Sequence, residues 1–589
     1  MDRNQVIGFA LIAVLMSGYF FWVGMNEPAP NPQVAQAQVD SLQKKAEKKD
    51  PIAVAKGTKL QLDSNYKERN PELNNGTLRV RFSSIGAIPQ EAELLKEKTW
   101  DQKPLVLFNQ NNNSFKLIGF NKGQRTDLYE WPYQVEFESK DSLSFIAKDS
   151  SGAVVVRQSY AIAKVGYQMR YHLETPGFAG QQLQYSWTTN IPKVEMDTKQ
   201  SQEKSTVNYY SDSEGLNDLT ETSHDKEEET ATTTLNWVSL KQKFFNTGIV
   251  AETPFKGGSF KSWINEQDTT GIKNLEANMS LAEIPKQNFT YYFGTNHFKS
   301  CKAVTEGYHK NVNLGWPVIN WINRFVVIPV FNLLEQYIDN YGIIIIILVL
   351  LIRIVMFPLN WKSYLAMAKM KVMKPELDAI KEKHPEDLQK AQMEQMTLYR
   401  SVGINPLAGC VPLLLQMPIL LAMFSFFPAS IELRQEAFLW APDLSTYDNP
   451  ILLGFEIPFY GSHISIFTLL MTLSTIAYTY YNNQMTTATT PAMKIMSYTM
   501  PVVFMFMLNS FPAGLSFYYF ISNISSIGQQ LIIKQFVDEG AIRAKLDENR
   551  VKNEQSGGAK KSKWSERMEE AMRLQREQEK LKKNKSTKK

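Results

Sequence analysis

The sequence predicts a polytopic α-helical membrane protein of six transmembrane helices, with a large all-β sandwich domain inserted after the first. Three observations predict it. Apolar runs long enough to cross a bilayer, which takes about 20 residues of helix, occur once near the N-terminus and five times beyond residue 340. Between them, residues 57–315 show the period-two alternation of half-buried strands. Lys and Arg gather in one loop and in the tail of the second half, which orients the spans. The mean hydropathy of −0.28 over 589 residues conceals this, because polar stretches dilute apolar ones.

The first run, residues 6–23, is uncharged and follows Asp2 and Arg3. Its length, and the distance to the Ala35-Gln36-Ala37 pattern, favour a retained anchor at residues 1–25 over a cleaved signal peptide. Residues 26–56, rich in Pro, Ala, Gln and Lys, read as a solvated tether. The 57–315 domain carries strand patterns such as Leu78-Arg79-Val80-Arg81-Phe82 and Tyr133-Gln134-Val135-Glu136-Phe137. So many short strands in one stretch predict an antiparallel sandwich. Its acidic, Ser/Thr-rich residues 211–233 are expected to form an exposed loop. Residues 316–340 are apolar but interrupted by Asn320, Asn323, Arg324, Pro329, Asn332, Glu335 and Gln336, with Trp316 and Trp321 at the start. That pattern suits an amphipathic helix lying in the headgroup region.

The other spans are expected at residues 341–359, 407–431, 464–481, 493–510 and 513–533, a five-helix core at 341–533. The loop at 361–405 carries eight Lys and Arg, whereas 432–463 carries only Arg434. The tail, 534–589, is a basic arm with 17 Lys and Arg against 10 Asp and Glu. By the positive-inside rule the first loop, the tail and the N-terminus are cytoplasmic, and the β-domain and the Arg434 loop face the periplasm.

Arg353 is the residue most in need of a reason. A charge at the centre of a span costs about 2.5–3.5 kcal/mol on insertion scales. Snorkelling is one reading, but Arg353 lies about 13 Å along the helix axis from Lys362 at ~1.5 Å per residue. No Asp or Glu occurs in the six span cores to pair with it. The other reading is a hydrated groove containing Arg353. Ser516, Tyr519, Asn523, Ser526 and Gln530 fall on one helical face of the last span, widened by Ser522, Ser525 and Gln529. Thr468, Thr472, Thr475 and Thr479 share a face of another, and Gln416 adds a polar group in a third. For the threonine row alone, hydrogen bonding between helices is the better account.

In the loop at 361–405, two helical stretches meeting at His384-Pro385 predict a hairpin. Its Met367, Met370, Met373, Met393 and Met396 provide either an adaptable surface for apolar partners or packing within the hairpin.

From Trp316 to Gln530 the residues resemble the YidC family of membrane protein insertases. The resemblance rests on Arg353 with Pro358, Met367-Ala-Lys-Met370, Asn405-Pro-Leu-Ala-Gly-Cys410, Pro412-Leu-Leu-Leu-Gln-Met-Pro418, Glu432-Leu-Arg434, Phe511-Pro-Ala-Gly514, Tyr518-Tyr519 and Ser522-Asn523. The N-terminal anchor and large periplasmic domain are similar to the Gram-negative form. The resemblance implies a bacterial inner-membrane insertase and chaperone. In such a protein Arg353 matches the groove arginine, and Gln416, Tyr518, Tyr519 and Ser522 fall at substrate-contacting positions. It implies nascent membrane proteins as substrates, work alone or with the Sec translocon, and ribosome contact through the hairpin and basic tail. Asn509-Ser510 departs from relatives with bulky aromatics there.

The basic tail suits ribosomal RNA or anionic lipid alike. No DNA, cofactor, metal or small-molecule substrate is expected: the six histidines are scattered and the two cysteines, Cys301 and Cys410, fall at opposite membrane faces. A small-solute transporter or channel is the main rival reading. Such proteins often show inverted repeats or intramembrane carboxylates, and neither occurs in this sequence. An intramembrane protease would need an activated nucleophile, paired acids or a metal, which the span cores do not offer.

Overall fold

The computed structural model describes residues 66–555 apart from 122–123, 386, 406–407, 409–410, 458–459 and 486–490. The expected anchor, the tether, Cys410 and the tail beyond residue 555 lie outside the described residues. The chain divides into two compact units, one reaching to Arg324 and including Ala422–Asp448, the other formed by Phe325–Leu421 and the residues from Asn449 onward.

The first unit is built on antiparallel strands. Among the described residues they form a nine-stranded sheet from Gly215–Asp218 at one edge to Gln134–Glu138 at the other, a six-stranded sheet, and a four-stranded sheet over Glu72–Phe108. Alternation dictates the packing. In Gln184–Pro192, and in Gly271–Ser280 from Lys273 onward, every second residue is buried, so one face of each strand enters the core. Trp187 of the six-stranded sheet meets Tyr291 and Phe293 of the nine-stranded sheet, with ring centroids 6.1 and 6.2 Å apart. Tyr160 and Tyr171 stack at 4.7 Å. The buried phenols are satisfied: Tyr185 Oη pairs with Tyr291 Oη at 2.9 Å, and Tyr160 Oη donates to the Ala87 carbonyl. That pairing removes the cost of burying a polar tip.

The acidic stretch expected as a loop contains two strands, Gly215–Asp218 and Glu227–Ala231. Glu227–Ala231 pairs only with Gly258–Trp263, at the edge of the six-stranded sheet. An edge strand needs one partner, and carboxylates on it discourage pairing with a second chain.

Segment Ala422–Asp448 is fastened to this unit by buried polar groups. Arg434, its side chain 2% exposed, pairs through Nε with Glu195 at 2.7 Å and through Nη1 with Glu97 at 3.5 Å. Its Nη2 donates to the Lys98 carbonyl, and its guanidinium lies 5.0 Å from the Phe245 ring centre. Asn323 donates to the Leu314 and Ala422 carbonyls at 3.0 Å each.

Beyond two short helices of the β-domain, Thr198–Glu203 and Phe298–Lys302, the described helices are α1 (Pro317–Ile322), α2 (Ile328–Leu334), α3 (Tyr341–Val372), α4 (Lys374–Lys383), α5 (Leu388–Ser401), α6 (Val411–Ala429), α7 (Ile466–Met485), α8 (Pro491–Leu508), α9 (Ala513–Gln535) and α10 (Glu539–Gln555). A π-turn at Asn323–Val327 separates α1 from α2. Pro317–Leu334, expected in the headgroup region, and Tyr341–Val372 are the two described helices long and apolar enough to cross a membrane; Gln416–Ala429 and Lys494–Leu508 are shorter apolar helices.

One local expectation changes. The span and the first part of the expected first hairpin helix, residues 363–383, form one continuous α3, which runs through Pro358 and ends at Val372. A further break at Met373, where Pro375 opens α4, divides the first hairpin stretch, while α4 ends at Lys383 and α5 begins at Leu388, on either side of the expected turn. The start of the basic tail is helical, as α10.

Candidate substrate groove

In the helical unit the polar and apolar groups are arranged opposite to those of a water-soluble protein. Helix α3 exposes Leu350, Leu351, Ile354 and Val355, and α8 exposes Val503, Phe504 and Met507. The hydroxyls and amides of α7 and α9 turn toward one another. That arrangement suits a lipid surround, where polar groups must find partners within the protein.

Helix α3 begins with the Asn340 side chain accepting from the Ile343 amide, and a run of apolar residues carries it to Arg353. Helix α9 begins after Pro512, and its first turns, Ala513, Gly514 and Ser516, are small and buried. Small residues let helix backbones approach closely. Ser516 Oγ lies 3.1 Å from Thr468 Oγ1. Further along, Asn523 Nδ2 donates to Ser474 Oγ at 3.1 Å and Thr475 Oγ1 at 2.8 Å, and Gln530 donates to Asn482 at 2.9 Å. These residues of the polar face stitch α9 to α7. Thr472 and Thr475 also donate to carbonyls of their own helix.

The other side of α9 faces α3. Arg353 Nη2 donates to Ser522 Oγ at 2.7 Å and to the Ser522 carbonyl at 3.0 Å. Ser526 Oγ donates to the same carbonyl at 2.7 Å. Towards the hairpin, Asn360 donates to Gln529 at 2.9 Å, a pair that sequence reasoning missed on the α3 side. Tyr518 is buried and packs edge to face on Tyr519 at 5.7 Å. Among the described residues, Arg353 forms no ion pair, and its Nε and Nη1 make no hydrogen bond. A guanidinium has five N–H donors, so this one keeps donors for a further acceptor. Gln416, half-exposed on α6, has no described hydrogen bond to Arg353.

Asn509, noted in the sequence only as a departure from relatives, has a structural role. Fully buried, it donates to the Tyr460 and His463 carbonyls at 2.8 and 2.9 Å and accepts from the Ser465 amide at 3.0 Å. Asn509 thus fastens the strand hairpin Ile451–Ile464 to the end of α8. Its carbonyl partners are backbone atoms, which sequence does not display.

In the hairpin, Met370 and Met373 are buried with Leu377, Tyr399, Val402, Ile404 and Leu546, and Met367 packs against this cluster. These methionines pack the hairpin, whereas Met393 and Met396 remain half-exposed. The turn is pinned by Glu394, which accepts from Lys383 at 2.7 Å and pairs with His384 at 2.6 Å.

Comparison with known families matches residues 71–328 to the YidC periplasmic domain and residues 333–540 to the 60Kd inner membrane protein family. A membrane protein insertase YidC of Cytophaga hutchinsonii is 45% identical over 623 aligned residues, covering 99% of both chains. One from Bacteroides fragilis is 33% identical, covering 100% of this chain and 99% of that one. Among solved structures, an active YidC insertase with its first transmembrane domain resolved is 18% identical, with a TM-score of 0.33 over 81% of this chain and 95% of that one.

Proposed function

The chain belongs to the YidC family of membrane protein insertases, and from that premise we propose that it inserts its substrates through a hydrated groove containing Arg353. It is an inner-membrane protein with a periplasmic β-sheet domain and a helical membrane region, and newly made membrane proteins are its substrates. Six spans place both termini in the cytoplasm: residues 1–25 and the five helices of 341–533, with residues 316–340 at the membrane surface. Arg353, Gln416, Tyr518, Tyr519, Ser522, Asn523 and Ser526 line the groove. The hairpin and basic tail meet the ribosome and anionic lipid, and larger substrates are handed over with the Sec translocon. No covalent step is involved.

The observation that carries this reading is that, among the described residues, Arg353 hydrogen-bonds only to a hydroxyl and a carbonyl, both neutral, on Ser522. A polar segment of a substrate exchanges bulk water for the donors of Arg353 and the groove hydroxyls, and its acidic groups are drawn to the guanidinium. Its apolar part leaves sideways into lipid. The barrier falls because interactions form while the segment crosses. Photo-crosslinkers placed at Tyr519 and Ser526 during synthesis of a small membrane protein test this reading. Adducts with the nascent chain at both positions support the groove. Solute flux through proteoliposomes, with no adducts and no insertion, would favour a transporter.

A further inference from the structure

Helix α10 occupies a seat on the hairpin made of three main parts, beside which its Glu539 pairs with Lys371 at 2.5 Å. The first is an apolar seam of Met370, Met373, Leu377, Tyr399, Val402 and Ile404, into which Leu546 inserts with Ile542 beside it. The second is Glu376: Arg543 pairs with its Oε1 at 2.5 Å, and Arg550 pairs with its Oε2. The third is the end of α5. There Gly403, at φ 72°, closes the helix by the Ile404 amide bonding to the Tyr399 carbonyl at 2.8 Å and the Gly403 amide to the Arg400 carbonyl at 3.1 Å. Asn553 donates to the Ser401 carbonyl at 2.7 Å and Asn549 to the Val402 carbonyl at 3.4 Å. Side-chain amides of α10 thus serve carbonyls at the end of another helix.

The seat therefore selects a helix with apolar residues at i and i+4, and arginines at i+1 and i+8. Helix-in-groove recognition reads anchors at such spacings. Yet α10 holds it lightly: Leu546 is its one fully buried side chain among the described residues, and the other contacts are part-exposed. Segments with few buried apolar contacts open at low free-energy cost.

We propose that α10 is an internal stand-in for a substrate, and that when it leaves, the seat accepts the basic amphipathic segment that flanks a substrate's membrane span on the cytoplasmic side. The positive-inside rule puts Lys and Arg next to the apolar residues of such segments, matching a seat with an apolar seam beside a carboxylate. The substrate's identity rests on the insertase reading; the seat does not, and binding is measured without insertion.

A fluorescent peptide of residues 539–555 is titrated against the full chain in nanodiscs. An occupied seat lowers apparent affinity by the fraction of molecules that are open. The double variant Arg543→Glu with Arg550→Glu frees the seat and binds the peptide about tenfold tighter than the native chain, the gain expected when about nine-tenths of seats were closed. A second probe with Glu at both arginine positions tests the converse: it binds Glu376→Lys, whose own helix is repelled, with a similar gain, and adding Glu376→Lys to the double variant re-forms the clamp within the chain and removes that gain. An unlabelled basic juxtamembrane peptide displaces the probe, and its Lys/Arg-to-Glu counterpart does not. No gain in the double variant, an undiminished gain in the triple variant, or equal displacement by the acidic peptide would each overturn the proposal.

Discussion

In the β-domain unit, Arg434 is almost wholly buried and faces two carboxylates, a carbonyl and an aromatic ring. In the helical unit, Arg353 faces a hydroxyl and a carbonyl of one serine, with no carboxylate among the described residues. Withdrawing a charge from water is costly in both places, and attraction between opposite charges offsets the cost only for Arg434. A paired arginine is neutralised by its own chain and fastens segments together. An arginine whose partners are neutral retains its attraction for an anionic visitor. Arg434 therefore serves the fold, and Arg353 is the one we propose serves the substrate.

Removing Arg434 has the largest expected effect on stability. Arg434→Ala leaves the buried Glu195 and the part-buried Glu97 without their guanidinium, a change that costs about 3–5 kcal/mol for a broken buried pair. The loss is read as a lower unfolding temperature of the β-domain in the solubilised full chain. Burial holds both carboxyls above the usual carboxylate range, and Arg434 pulls them back. Without it their folded-state pKa values rise further. A carboxyl raised on folding contributes stability that is present below its unfolded pKa and lost as pH rises through the folded one. The variant's deficit is thus smaller at pH 5 than at pH 8, and an equal deficit would break the comparison.

Asn509→Ala sharpens it within the helical unit. Asn509 is satisfied by backbone groups, so its loss acts as Arg434's does, on the fold. The expected cost is about 1–3 kcal/mol for buried groups left unpaired, seen as faster proteolysis of the strand hairpin Ile451–Ile464. A normal protease pattern with failed insertion would place Asn509 with Arg353 instead.

Ser522→Ala is the smallest change. It removes one neutral partner of Arg353 and keeps the carbonyl, so insertion falls by about fivefold at most, the rate equivalent of ~1 kcal/mol. A fall as large as that for loss of Arg353 would make the serine, not the charge, the working group.

Much of this was legible in the sequence because burial imposes a period. Strand alternation located Leu78–Ser83 and the strand at Gln134–Glu138 to within a residue or two, and the missing acidic partner of Arg353 could be read from the span cores. What escaped depends on partners distant in sequence. The acidic strand Glu227–Ala231 has no apolar face, since only its edge pairing makes it a strand. Helix α10 hides among charged residues because Ile542 and Leu546 gain meaning only beside the hairpin. The polar face of the last span was legible as a stripe, but not that Asn523 and Gln530 turn to α7 while Ser522 turns to α3.

The most direct measurement compares insertion by the native chain, Arg353→Ala and Arg353→Lys of two versions of a small membrane protein, one with an acidic translocated segment and one with that segment neutralised. The account predicts that Arg353→Ala slows the acidic version about tenfold more than the neutral one, a difference of ~1.4 kcal/mol, and that Arg353→Lys restores part of it. Normal insertion of the acidic version by Arg353→Ala, in protein shown to be folded, would contradict the claim that the unneutralised charge of Arg353 does the work.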